Sequence, residues 1–197
     1  MKPTINLCQI GRCLCSQTDF SRRHFLKSLL PGAVALTVLQ SAAPAKAATH
    51  QAKALVLSCI DFRFMTAERR FLADKNLREE YDWTALAGAS LAVTGFPHPS
   101  DAEAFWDQLD ISYQLHHINK VIILDHQDCG AYAMMIDANL SKNPERELQV
   151  HTDYLNRAYW SIRDRYPNLE VELYFAPLNQ TQFQAILPKP KNYSSPV

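Results

Sequence analysis

The chain has 197 residues, 47% hydrophobic and 20% charged, the proportions of one ordinary globular domain, and only five glycines, which excludes a fibrous or glycine-rich disordered chain. The formal net charge is zero, yet residues 1–47 carry six cations (Lys2, Arg12, Arg22, Arg23, Lys27 and Lys46) against Asp19, a net of +5 that leaves −5 on residues 48–197. A mildly acidic remainder without a basic stripe argues against nucleic acid as a partner.

The first element is SRRHFLK at residues 21–27. A modestly apolar run over 28–39, interrupted by Pro31 and Gly32, follows it, and Ala45-Lys46-Ala47 then supplies a small-x-small site. These three features together predict a removable signal peptide over 1–47, cut after Ala47. The apolar run is shorter than the roughly 20 residues a membrane span needs. Arg22-Arg23 followed by Phe25-Leu26-Lys27 resembles the twin-arginine export signal. That implies a bacterial source, passage of an already folded protein through the twin-arginine export machinery, and a periplasmic location. The competing readings are a basic amphipathic helix and a retained anchor. Cys8, Cys13 and Cys15 fall inside this leader, so residues 48–197 keep only Cys59 and Cys129. In an oxidising compartment two cysteines read first as a disulfide; the alternative is a shared metal ion.

Beyond the leader, the short apolar run at 53–58 (KALVLS) predicts a buried strand. A helix follows over 66–81, with Thr66 as cap, Arg69 and Arg70 outward, and Phe71, Leu72 and Leu77 inward. Residues 83–87 read as a second strand ending at Gly88. The loop 95–100 leads to a helix over 101–118, with Ser100 as cap and Glu103 three residues on. Residues 120–124 (KVIIL) form the clearest strand, helices follow at 131–140 and 145–166, and 169–175 reads as the last strand. The tail with Pro188, Pro190 and Pro196 reads as irregular. Strands alternating with helices predict a single α/β domain over 48–197: a mainly parallel β-sheet of about four strands flanked by helices. In such sheets ligands bind beyond the carboxyl ends of the strands, where strand order reverses. Cys59 directly follows the first strand and His126 closely follows the third.

Two motifs carry chemistry: Cys59-Ile60-Asp61-Phe62-Arg63 and His126-Gln127-Asp128-Cys129-Gly130. Two thiolates and an imidazole are strong zinc ligands, and three protein ligands leave a fourth position open, as a catalytic zinc requires. Water held there has its pKa lowered to about 7. Gly130 is expected to give the backbone room in the second motif. Asp61 is close enough in sequence to reach the open position, and Arg63 to pair with it. Asp61 then either ligates zinc or pairs with Arg63 and frees the site. Each residue has a plainer reading: Cys59 as a small buried hydrophobe, His126 as a helix cap, Asp61 and Arg63 as a surface pair of little worth. Their joint placement after two different strands favours the metal. Asp128 is assigned a place beside the ligands or at a helix N-terminus. His116 and His117 fall to mid-helix packing or surface, while His98 and His151 lack a partner at metal spacing. Trp106, Tyr113, Tyr154 and Trp160, at helical spacing, read as core or dimer interface.

These motifs resemble the β-class carbonic anhydrases. The stretch 112–132, SYQLHHINKVIILDHQDCGAY, is similar to that family's helix, strand and metal loop, and Ala87-Gly88 to the Ala-Gly after its second strand. The resemblance covers roughly residues 53–140. It implies reversible hydration of carbon dioxide to bicarbonate, a lyase activity, with zinc on Cys59, His126 and Cys129. It also implies that Asp61 accepts a hydrogen bond from zinc-bound hydroxide or displaces it, that Arg63 orients Asp61, and that the protein forms a homodimer or a multiple of one. The sequence departs from the family at Asp125, where glycine usually precedes the metal histidine, and at Ala85-Leu86, where Arg-Asn is usual. Two further readings are a related zinc hydrolase acting on carbon disulfide or carbonyl sulfide, and a non-catalytic zinc-binding or dithiol protein.

Overall fold

The computed structural model describes residues 51–178 and 182–191, so the leader assigned to 1–47 lies outside the described residues. Strand β1 (Ala54–Ser58) is followed by α1 (Met65–Asp74), β2 (Tyr81–Ala85), the single turn α2 (Ser90–Val93), α3 (Pro99–Leu115) and β3 (Lys120–His126). Then come α4 (Gly130–Met135), a 3-10 turn at Leu140–Lys142, α5 (Pro144–Arg165), β4 (Glu170–Ala176) and β5 (Gln184–Ala185). The sheet order is β2-β1-β3-β4-β5, with the first four strands parallel and β5 antiparallel to β4.

All of β1 is buried, and so is all of β3 except Lys120. Helices cover both faces of these strands, which is why they read as unbroken apolar runs rather than as alternation. On one face Leu55, Leu57, Val121 and Ile123 pack with Phe105 and Leu109 of α3 and Leu155, Ala158 and Ile162 of α5. On the other, Ala54, Val56, Ile122 and Leu124 pack with Leu72 and Leu77. The chain steps outward from β1 to β2 and returns to the far side of β1 as β3, so strand order reverses between β1 and β3. Ser58 is in register with Leu124. Cys59 therefore leaves its strand one residue short of the level at which His126 ends β3.

The mainly parallel sheet flanked by helices is the architecture expected, with corrections at element ends. Helix α1 stops at Asp74 rather than at 81: Asn76 and Glu79 take left-handed φ values of 58° and 57°, and β2 starts at Tyr81. Leu77 is buried, but from the connection rather than the helix. Thr66 is not the cap; Phe64 holds that position without a side-chain bond. Ser100 lies inside α3, which begins with Pro99 after His98, since proline's fixed φ and missing N–H suit the first helical position. His116 and His117 lie past the end of α3, not in its middle; His116 Nδ1 donates to Asp82 at 2.7 Å. Helix α4 ends at Met135, five residues early, with Leu140 in the 3-10 turn. The tail is not wholly irregular, since Gln184 and Ala185 pair with Phe175 and Tyr174 as a fifth strand.

Candidate metal centre

The centre is built where β1 and β3 end. Cys59 follows β1, His126 is the last residue of β3, and Cys129 is the cap of α4, so two strand ends and a helix start aim three side chains at one point. All three are buried, and their ligand atoms lie within 4.8 Å of one another. The two Sγ atoms are 3.9 Å apart and both cysteines are free. A disulfide needs about 2.05 Å, whereas two sulfurs about 2.3 Å from a tetrahedral zinc stand roughly 3.8 Å apart. The observed spacing excludes a disulfide, and it fits a shared metal ion as well as a thiol–thiol hydrogen bond. His126 Nδ1 donates to the Gln127 carbonyl at 2.9 Å, which leaves the lone pair on Nε2, and Nε2 is buried without a hydrogen-bond partner among the described residues. An orphaned buried nitrogen facing two thiols fits a zinc ion as fourth party.

The sulfurs are electrostatically unequal. Either sulfur could donate in the hydrogen bond between them, but the Gly88 N–H at 3.3 Å and His126 face Cys59, so with Cys129 as donor these bonds outweigh burial and push the Cys59 thiol down to about 4. The same bond and burial push Cys129 up, so the pair shares one proton. Burial is the largest influence on His126 and works against its charged form, but Cys59, the Gln127 carbonyl and Asp61 together outweigh it and raise its pKa. Gly88 is required here: its φ is +77°, and an added Cβ would come within 3.1 Å of Leu91 Cβ and 3.2 Å of Ala131 Cβ. Gly130, by contrast, has nothing within 4 Å of an added Cβ and no left-handed φ, so the expectation that it makes room in the loop is not met.

Asp61 and Arg63 do meet. Arg63 Nε donates to Asp61 Oδ1 at 3.0 Å and Nη2 to Oδ2 at 2.7 Å, a two-pronged pair. These bonds hold the Asp61 carboxyl below its ordinary range. Of the two states open to Asp61, the structure has the one paired with Arg63, with Oδ2 3.9 Å from His126 Nε2. Arg63 also reaches Asp128, donating to its Oδ2 at 2.8 Å and its carbonyl at 2.9 Å. Asp128 thus sits beside the ligands, bonded to Arg63.

Sequence reasoning missed four buried polar residues around the centre. Glu68 on α1 is 2% exposed, and burial pushes its carboxyl up to about 7 against the pull of Ser58. Glu147 Oε1 accepts the Asp128 N–H at 2.6 Å, holding a residue whose φ is +57°. Asp125 and His151 bond each other at 2.8 Å, and the His151 ring lies tilted against Tyr132 with ring centroids 3.7 Å apart. One signal was present: Glu147 and His151 precede Leu155 at intervals of four, on the inward stripe of α5. His98 is the residue before α3 and has no part in the centre. Tyr154 packs edge-on to Tyr132, Trp106 lies under Arg165, Tyr113 meets Tyr166, and Trp160 donates to the Lys189 carbonyl.

Two thiols, an imidazole and an arginine-held carboxylate at the carboxyl edge of a parallel sheet define an α/β domain able to hold one metal ion. A family model described as "Putative carbonic anhydrase" matches residues 49–186, and the chain belongs to that family. A protein of Rickettsia bellii is 32% identical over 130 residues, 66% of this chain and 79% of its own length; one of Rickettsia conorii is 30% identical over 66% and 70%. Both are described as uncharacterized. Among solved structures, a carbonic anhydrase of Streptococcus mutans superposes with a TM-score of 0.51 at 12% identity, covering 84% of this chain and 92% of that one. β-Carbonic anhydrase isoform I of Trichomonas vaginalis gives 0.50 at 14% identity, covering 84% and 93%. At these identities the likeness establishes a shared fold.

Proposed function

We propose that the protein is a zinc-dependent carbonic anhydrase, a lyase that interconverts carbon dioxide and bicarbonate, and that it works in the periplasm after export by the twin-arginine machinery. The observation that carries the activity is the buried Cys59–His126–Cys129 cluster with Asp61 beside it, tied back to Arg63. Zinc held by these three side chains would supply the Lewis acidity that brings the pKa of water near 7.

The chain's own residues do the rest. Asp61, kept ionised by Arg63, is a permanent acceptor: it takes a hydrogen bond from the reacting oxygen and so orients that oxygen's free lone pair toward the carbon. Arg63, anchored on Asp128 as well, keeps Asp61 from swinging onto the ligand cluster. Phe64 is 5% exposed and lies 4.3 Å from the His126 ring, an apolar wall suited to an uncharged substrate. On the segments bearing Cys59 and Cys129, the large apolar side chains Ile60, Phe62, Met65 and Met134 are exposed, which supports a homodimer covering this edge. Sedimentation of the 48–197 protein should give a dimer or a multiple; a monomer at micromolar concentration would remove that part of the reading.

The activity is tested by stopped-flow carbon dioxide hydration on zinc-loaded protein, with a metal count on the same sample. One zinc per chain with hydration supports it. One zinc without hydration from neutral to alkaline pH leaves a non-catalytic zinc protein. Export is tested by cell fractionation of the full chain and of Arg22→Lys/Arg23→Lys, which should stay in the cytoplasm.

A further inference from the structure

Asp125 and His126 are neighbours on β3, so their side chains leave opposite faces of the sheet. His126 faces Phe64 and the thiols; Asp125 faces α2, α4 and α5. Asp125 is therefore no ligand, yet it is 2% exposed, and a carboxyl is costly to bury unless its oxygens are bonded. Its oxygens are bonded. Oδ1 accepts the Ser90 N–H at 3.0 Å; Oδ2 accepts Ser90 Oγ at 2.6 Å, Tyr132 OH at 3.1 Å and His151 Nδ1 at 2.8 Å.

The donors come from the three segments that shape the cluster from behind. Ser90 is two residues after Gly88, whose N–H points at Cys59 Sγ. Tyr132 is three residues after Cys129, in the helix Cys129 caps. His151 is one turn along α5 from Glu147, which holds the Asp128 N–H. Moving the carboxyl of Asp125 would release the Gly88 turn, helix α4 and the metal loop together.

We propose that Asp125 is a positioning residue for the metal centre: by gathering Ser90, Tyr132 and His151 it sets the relative placement of Cys59, His126 and Cys129. This rests on reading those three as metal ligands, though not on the activity proposed for them. Outer partners of metal ligands typically change affinity by about 10- to 100-fold when lost.

The test measures zinc affinity by chelator competition and the absorption spectrum of the cobalt(II)-loaded protein. The proteins compared are wild type, Asp125→Asn, Ser90→Ala, the double variant and Ser112→Ala. Ser112 is equally buried and bonded to Asp82, away from the centre, and serves as the control for general destabilisation. Asp125→Asn should weaken zinc by about 10- to 100-fold and shift the cobalt bands. Ser90→Ala should weaken zinc less, and not at all once Asp125 is Asn, while Ser112→Ala should leave affinity and spectrum unchanged. Unchanged affinity and spectrum in Asp125→Asn, or an equal loss in Ser112→Ala, would overturn the proposal. If Asp125→Asn does not fold, Ser90→Ala decides by the same two readouts. A wild type that binds zinc without hydrating carbon dioxide overturns the proposed activity and leaves these arms to decide Asp125; a wild type that binds no zinc overturns both.

Discussion

At the residue scale, the candidate ligands with their Asp61–Arg63 pair and the buried polar residues behind them differ in how visible they are in the sequence. Cys59, His126, Cys129, Asp61 and Arg63 were legible in the sequence because ligand-type residues recur at short spacing just after apolar runs. The structure brings all five together. Asp125, Glu147 and His151 were not legible, because their partners lie far along the chain: His151 is 26 residues from Asp125, and Glu147 is 19 from Asp128. Asp125 stood out only as a departure from the family pattern, and its compensation in Ser90, Tyr132 and His151 needed the fold. The placement of Arg63 gives a sharp prediction. It contacts Asp61 and Asp128 but no thiol, so Arg63→Ala should keep one zinc per chain while hydration kcat/KM falls about 100-fold or more. Loss of zinc together with activity would show that Arg63 supports the metal rather than Asp61.

At the scale of elements, the centres of the helices and strands followed from periodicity and the ends did not. The sequence pattern carries helix α1 seven residues too far because no glycine or proline marks its exit; Asn76 and Glu79 turn the chain instead, both at left-handed φ. A non-glycine residue there carries roughly 1 kcal/mol of steric cost. Glu79 is exposed, so Glu79→Gly should stabilise the protein by about 0.5–1 kcal/mol, read as a higher urea midpoint with unchanged slope. An unchanged or lower midpoint would mean that the added freedom of the unfolded chain cancels the relief. Strand β5 escaped notice for a different reason. Two residues ahead of a proline-rich stretch carry no period, and the free edge of β4 decides that they pair.

At the scale of the molecule, one ion cluster ties the sheet to α1. Lys75, the cap at the end of α1, lies 2.8 Å from Glu172 of β4, Lys120 of β3 also contacts Glu172, and Tyr174 OH donates to Glu172 at 2.7 Å. Burial opposes the charge on Glu172, but Lys120, Lys75 and Tyr174 outweigh it and hold its pKa at about 2, below the ordinary 4.5. A carboxyl lowered on folding stabilises the native state above its ordinary pKa, and that contribution is lost as pH falls through the folded value. Glu172→Gln should therefore be less stable than wild type at pH 7, by about 1–2 kcal/mol after allowance for solvent screening. The gap should close between pH 4.5 and 2 in parallel denaturant titrations. A gap independent of pH would assign the loss to packing.

Zinc-edge X-ray absorption on the purified protein tests the metal centre most directly. Two sulfur neighbours at about 2.3 Å and two lighter ones near 2.0–2.1 Å would match Cys59, Cys129, His126 and one exchangeable ligand. Protein that carries no zinc and shows a disulfide between Cys59 and Cys129 would contradict it.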